Sequence, residues 1–186
     1  MKRIIALFLT FLLVFTFIGC DKDENGKPII DEAAWKKAAE IANFDNVTMK
    51  MSVIMSEGEG DFVIKLDGNK AVVDGIFTED EVTVSGCKDI YVKTSLAMAE
   101  NFSDFVYDAE TDSFKSNKKI EYDATVQGID AHITTENVIV KLDTKNLITV
   151  IECDMKQEFN DGSEDQCFEL HVTFTFSDYG KTVAEP

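Results

Sequence analysis

From Val47 onward, apolar residues recur at every second position. Met49, Met51, Val53 and Met55 alternate with Lys50, Ser52 and Ile54, and Phe62, Ile64 and Leu66 alternate with Val63 and Lys65. A period of two is the side-chain geometry of a strand with one face turned to a core. Between these runs and the next lies "DGNK", a tight-turn signal. "KAVVDGIF", "EVTVSG" and "DIYVKT" then read as short strands. "SLAMAENFSDF" changes the period: Leu96, Ala99, Phe102 and Phe105 fall at helical spacing. "FVYDAETDSFKS", "KIEYDATV", "ENVIVKLDT" and "NLITVIECDMKQEF" return to strands. The plainest strand is the last, where Phe168, Leu170, Val172, Phe174 and Phe176 alternate with Glu169, His171, Thr173 and Thr175. Ahead of the sheet, Trp35, Ala38, Ala39 and Ala42 share one face of a helix predicted over 31–43, with Asp31 as its cap and Glu32 in its first turn. One-sided strands imply one buried face. The predicted fold is α+β: an open, strongly curved antiparallel sheet with the N-terminal helix and a short second helix on its concave side, forming one domain over 31–186.

The start of the chain obeys a different pattern. Met1, Lys2 and Arg3 precede an apolar run, Ile4–Ile18, broken only by Thr10 and Thr16. That run is short for a membrane span and has the form of an export-signal core. It ends in Phe17-Ile18-Gly19-Cys20, which resembles the lipobox of bacterial lipoproteins, with Phe17 where leucine is usual. Residues 1–19 are therefore expected to be a signal peptide, Cys20 the lipidated residue, and 20–30 a flexible acidic tether. A two- or three-chain acyl anchor holds stably where one chain does not. The expected location is the outer side of the cell membrane, reached through that lipid.

The formal net charge of the chain is −17. Loss of residues 1–19 removes Lys2 and Arg3 and no acid, leaving 16 basic against 35 acidic residues, a charge of −19. Such a surface repels nucleic acid and anionic headgroups. Apart from Cys20, the cysteines are Cys87, Cys153 and Cys167, with no C-x-x-C. A Cys153–Cys167 disulfide across the "NDGSED" turn requires a bulge or a longer loop, because a hairpin centred on Asp161-Gly162 sets Cys153 opposite about Leu170 and turns Cys167 to the other face.

The order and pattern of these segments resemble a group of Firmicutes-type cell-surface lipoproteins related in fold to the LolA/LolB and LppX/LprG lipoprotein carriers. The segments that carry the likeness are Trp35 in the first helix, "FDNVTMKM" opening the sheet, the "DGNK" hairpin, "FVYDAETDSFKS", "VIVKLDTKNLITVI" and the closing "FTFSDYGKTVAEP". The resemblance implies a half-barrel wrapped around helices, and some members of the group hold lipid or lipidated ligands in the hollow. It supplies no catalytic residue.

Two sites can be drawn from the residues themselves. Asp21, Asp23, Asn25, Gly26, Lys27 and Glu32 match the calcium-loop template D-x-[DN]-x-[DN]-G-x5-E, with Lys27 offering a backbone carbonyl and Glu32 the final bidentate carboxylate. Against a calcium site stand Pro28, which has no N–H for the loop's short strand bond, and the absence of room for an entering helix after Cys20. A tether is the preferred reading of this segment. The second site is an apolar lining of Met49, Met51, Met55, Phe62, Phe102, Phe105 and Phe174, since thioethers and rings give a lipid tail dispersion contacts without directional demands. His132 and His171 are the only histidines, and no G-x-S-x-G or H-E-x-x-H is present. The expected protein is a non-enzymatic, cofactor-free carrier of a lipid or other hydrophobic ligand. The alternative is a structural or adhesive surface module with a filled core.

Overall fold

The computed structural model describes residues 32–40, 44–56, 58–126, 129–159 and 166–185. These form two α-helices and a ten-stranded open sheet. In chain order the elements are α1 (Glu32–Ala39), β1 (Asn46–Met55), β2 (Gly58–Asp67), β3 (Lys70–Val73), β4 (Ile76–Thr78), α2 (Glu81–Glu100), β5 (Val106–Asp108), β6 (Ser113–Ser116), β7 (Ile120–Val126), β8 (Ile129–Leu142), β9 (Ile148–Phe159) and β10 (Gln166–Ser177). A short 3-10 turn, Phe102–Asp104, follows α2. The sheet order is β4-β3-β2-β1-β10-β9-β8-β6-β5, with β7 also on β8, and every pairing is antiparallel. Two meanders are thus joined where the first strand meets the last.

The turns have local causes. Gly68 opens the β2–β3 loop at φ +62, a left-handed angle that glycine takes without strain. Asp74 and Gly75 both have positive φ between the paired Val73 and Ile76, as a type I′ hairpin turn demands. β8 serves two neighbours on one side, pairing with β7 through Ile129–Thr135 and with β6 through Val138–Val140. Between these halves its register with β9 shifts, and Asn137 takes φ +53 while donating from Nδ2 to Asp154 Oδ2 at 2.7 Å. A bulge at this point re-aims the strand.

One face of the sheet is the core face. Met49, Leu66, Ile133, Ile151 and Phe174 are buried there, beneath Tyr91 and Met98 of α2. The Tyr91 ring meets Phe174 edge-on at 5.2 Å and Phe176 at 5.8 Å. α1 packs against α2 and buries Trp35 among Phe102, Phe105 and Phe114, at centroid distances of 5.2, 5.1 and 4.9 Å. The C-terminal segment is pinned to β1 by Asn46. Its Oδ1 accepts from Thr182 N at 2.8 Å, and its Nδ2 donates to Thr182 O at 2.9 Å and to Asp67 Oδ1 at 2.8 Å.

Two expectations require correction. Residues 81–94 are not two strands followed by a short helix. They belong to a single 20-residue helix, Glu81–Glu100, capped by Asn101, whose N–H donates to the Ala97 carbonyl. The β-branched Val82, Val84 and Val92 mimic strand alternation, yet Val82 is exposed and Val84 buried, a difference that only a helical repeat explains. Asp80 starts the helix by accepting from Thr83 N and Thr83 Oγ1. The proposed Cys153–Cys167 disulfide does not form, since Cys87, Cys153 and Cys167 are all free thiols. The β9–β10 register sets Cys153 opposite Val172 and Cys167 opposite Glu158, with Cys153 in the core and Cys167 exposed on the other face. The predicted first helix is observed over Glu32–Ala39, while Asp31 and residues 41–43 lie outside the described residues.

Candidate binding surface

Strand register places the side chains of the core face in rows. One row joins Phe62, Met51, Phe174, Ile151 and Val140, and the rows toward the β1–β2 tip bring in Met55, Leu170, Met155, Phe168 and Phe159. α2 covers the middle of the sheet, where Tyr91 meets Phe174, but neither the β2 end of the first row nor the tip. Met55, Phe62, Phe168 and Ile129 are therefore left 41%, 42%, 43% and 44% exposed on the same face as the buried core. Phe159 and Phe168 meet edge-on at 5.9 Å. The result is an apolar ledge running obliquely from β2 to β8. β2 deepens it because two of its core-facing positions, Gly58 and Gly60, carry no side chain; nothing lies within 4 Å of a Cβ built on Gly58, and the Phe62 ring leans over Gly60.

The residues expected to line a cavity divide into three groups. Met49 and Phe174 are wholly buried and belong to a packed interior. Phe102 and Phe105 are half-buried around Trp35 and support α1. Met51, Met55 and Phe62 lie together on the ledge, with Met51 paired to Phe62. Phe168 and Ile129 join them and were missed as site residues. Phe168 was visible as part of the alternating β10 pattern, but its exposure depends on where α2 ends its cover. The glycines in "GEGDF" were the available signal for the bare part of β2.

The opposite face of the sheet is mainly polar, with Ile54 and Val63 as exposed apolar exceptions. There a groove of about 590 Å³ runs over β7–β10, lined by His132, Glu136, Asp154, Lys156, Glu158 and Glu169 among others. Both histidines lie on this face, each with Nδ1 at 2.9 Å from the aspartate directly across the ladder: His132 on Asp123, and His171 on Asp154. Hydrogen bonds from Asn137 and then His171 hold the Asp154 carboxyl below the usual carboxylate range. Lys156 and Glu158 pair at 2.7 Å. These groups satisfy one another across solvent-exposed ladders.

Of the calcium-template residues, Asp21, Asp23, Asn25 and Lys27 lie outside the described residues, as does Cys20. Glu32 begins α1 and pairs with Lys36 at 2.7 Å. Among the described residues, no group of three or more His, Cys, Asp or Glu is placed to hold a metal ion, and no helix is long and apolar enough to cross a membrane. No protein-family model, curated protein or solved structure matches this chain.

Proposed function

We propose that the chain is a non-catalytic binding protein tethered to the outer side of the cell membrane through lipidated Cys20 and residues 20–30, and that it takes a hydrophobic ligand along the ledge. The exposed Met55, Phe62, Phe168 and Ile129 carry this reading. Half-exposed large apolar side chains sharing one face form a patch that soluble proteins seldom leave bare without use. In this proposal the sheet curls around α2 as a half-barrel. Two successive helix residues support the curl. Lys88 reaches Asp45 and the Gly68 carbonyl beside β1 and β2, while Asp89 accepts from Thr125 N on β7, at the other flank of the sheet.

A filled centre, with Tyr91, Met98 and Phe174 fully packed, favours the second reading of a surface interaction module. Titration with a fluorescent long-chain fatty acid, read alongside native mass spectrometry, separates the two. Saturable uptake that falls about tenfold in Phe168→Asp, with unchanged unfolding, supports ligand carriage. A bare mass and no uptake by the unmodified chain would leave the interaction module standing. Anchoring has its own test: an alkyne fatty acid fed to cells should label the protein but not Cys20→Ser, and equal labelling of both would remove the lipid tether.

A further inference from the structure

β2 is longer than its neighbour on one side. β3 pairs only with Ile64–Asp67, whereas β1 pairs with β2 along its whole length from Gly58. The upper half of β2 is therefore a sheet edge. Asp74 marks where cover stops: its N–H donates to the Val63 carbonyl at 2.8 Å, and its Oδ1 accepts from Val63 N at 2.8 Å. Backbone polarity alternates along a strand. Since Val63 points its N–H and C=O away from β1, Asp61 and Glu59 do the same. Those four backbone groups meet no strand among the described residues. Other margins are guarded or brief. Asp89 of α2 accepts the Thr125 N–H of β7 at 2.6 Å, and β4 and β5 have three residues each.

We propose that the Gly58–Phe62 edge of β2 is a docking site for an extended peptide of a partner protein, which adds to the sheet as a further antiparallel strand. Main-chain hydrogen bonds to Glu59 and Asp61 supply the attachment. Side-chain chemistry names the partner. On the core face, an incoming apolar residue would settle beside Phe62 and the bare Gly60 and Gly58. On the opposite face it would meet the exposed acid Glu59 and, beside it, Asp61, which is exposed but already paired with Lys50 of β1 at 2.8 Å. The matching strand alternates apolar and basic residues. A second copy of this chain, with the same acids on the same edge and a net charge of −17, is disfavoured by repulsion. The site adjoins the ledge but needs no lipid there.

The probe is an acetylated and amidated Lys-Val-Lys-Val-Lys-Val-Lys peptide, added to the full chain in detergent with amide exchange followed by NMR. The expected pattern alternates: exchange at Glu59 and Asp61 slows about tenfold or more, while the Gly58, Gly60 and Phe62 amides, already turned toward β1, change little. Proline tests the edge without breaking the β1 ladder, because the N–H it removes points outward, while Glu59→Gln and Asp61→Asn keep that N–H and report the loss of each carboxylate by itself. Glu59→Pro and Asp61→Pro should keep the native spectrum and lose about tenfold or more in affinity. Several outcomes overturn the proposal: no binding, uniform protection without alternation, proline variants that bind as tightly as the unmodified chain, equal binding of a sequence-scrambled peptide of the same charge, or protection that rises with protein concentration alone.

Discussion

Asp108 shows how a single carboxylate can be committed to the fold. It accepts from Lys115 Nζ at 2.6 Å, Thr111 Oγ1 at 2.9 Å and Glu110 N at 3.0 Å, and these bonds, led by Lys115, bring its pKa to about 2. A carboxyl whose folded pKa lies below its unfolded value stabilises the protein above the unfolded value, near 4, and loses that contribution as pH falls through about 2. Carbon-13 titration should place Asp108 well under 3, and Asp108→Asn should flatten the acid limb of the stability curve; a folded value near 4 would refute this. The thiols make an equally local prediction. Burial pushes Cys153 up to about 12, and it also raises Cys87, whereas Cys167 is exposed. Reactivity follows thiolate and access. Iodoacetamide on the native protein should therefore modify Cys167 first and spare Cys153 until the chain unfolds, as peptide mapping would record.

The elements show which patterns can be read from the chain and which cannot. β10 was legible because its apolar positions alternate without a break and its partners on both sides obey the same period. α2 was not, because its buried positions Val84, Tyr91, Ser95 and Met98 are spaced for a helix while its β-branched residues mimic strand alternation. The first half of β8 was hidden by its polar content, which only makes sense once β7 is seen to lie beside it. The bulge at Asn137 was also silent, although it explains why one strand can hold both β6 and β7. Its left-handed backbone predicts a definite ranking. Both Asn137→Gly and Asn137→Ala lose the bond to Asp154, but the alanine must also bear the αL strain, about 1–2 kcal/mol. Urea midpoints should place Asn137→Ala below Asn137→Gly by about that amount.

At the scale of the whole molecule, the apolar character of the ledge residues could be read from the sequence, but their exposure could not. Phe168 and Phe174 are equivalent in the alternation of β10, yet one is 43% exposed and the other 1%. Which of them faces solvent is decided by the path of a helix some seventy residues earlier in the chain. The two should therefore differ sharply in unfolding experiments. Phe174→Ala is expected to cost about 3–5 kcal/mol through a cavity in the interior, while Phe168→Ser should shift stability by well under that and act on ligand uptake instead. Similar losses for both would place Phe168 in the core.

Asn46 grips Thr182 across 136 positions of sequence. With the last strand seated between the first and the ninth, the N-terminal meander has no inner neighbour until nearly all of the chain has been made. Closure over so long a loop is slow. A nascent protein of this design cannot join its two meanders until β10 has emerged. A truncation that ends before Gln166 would leave two half-sheets, each exposing the strand that should have met the other.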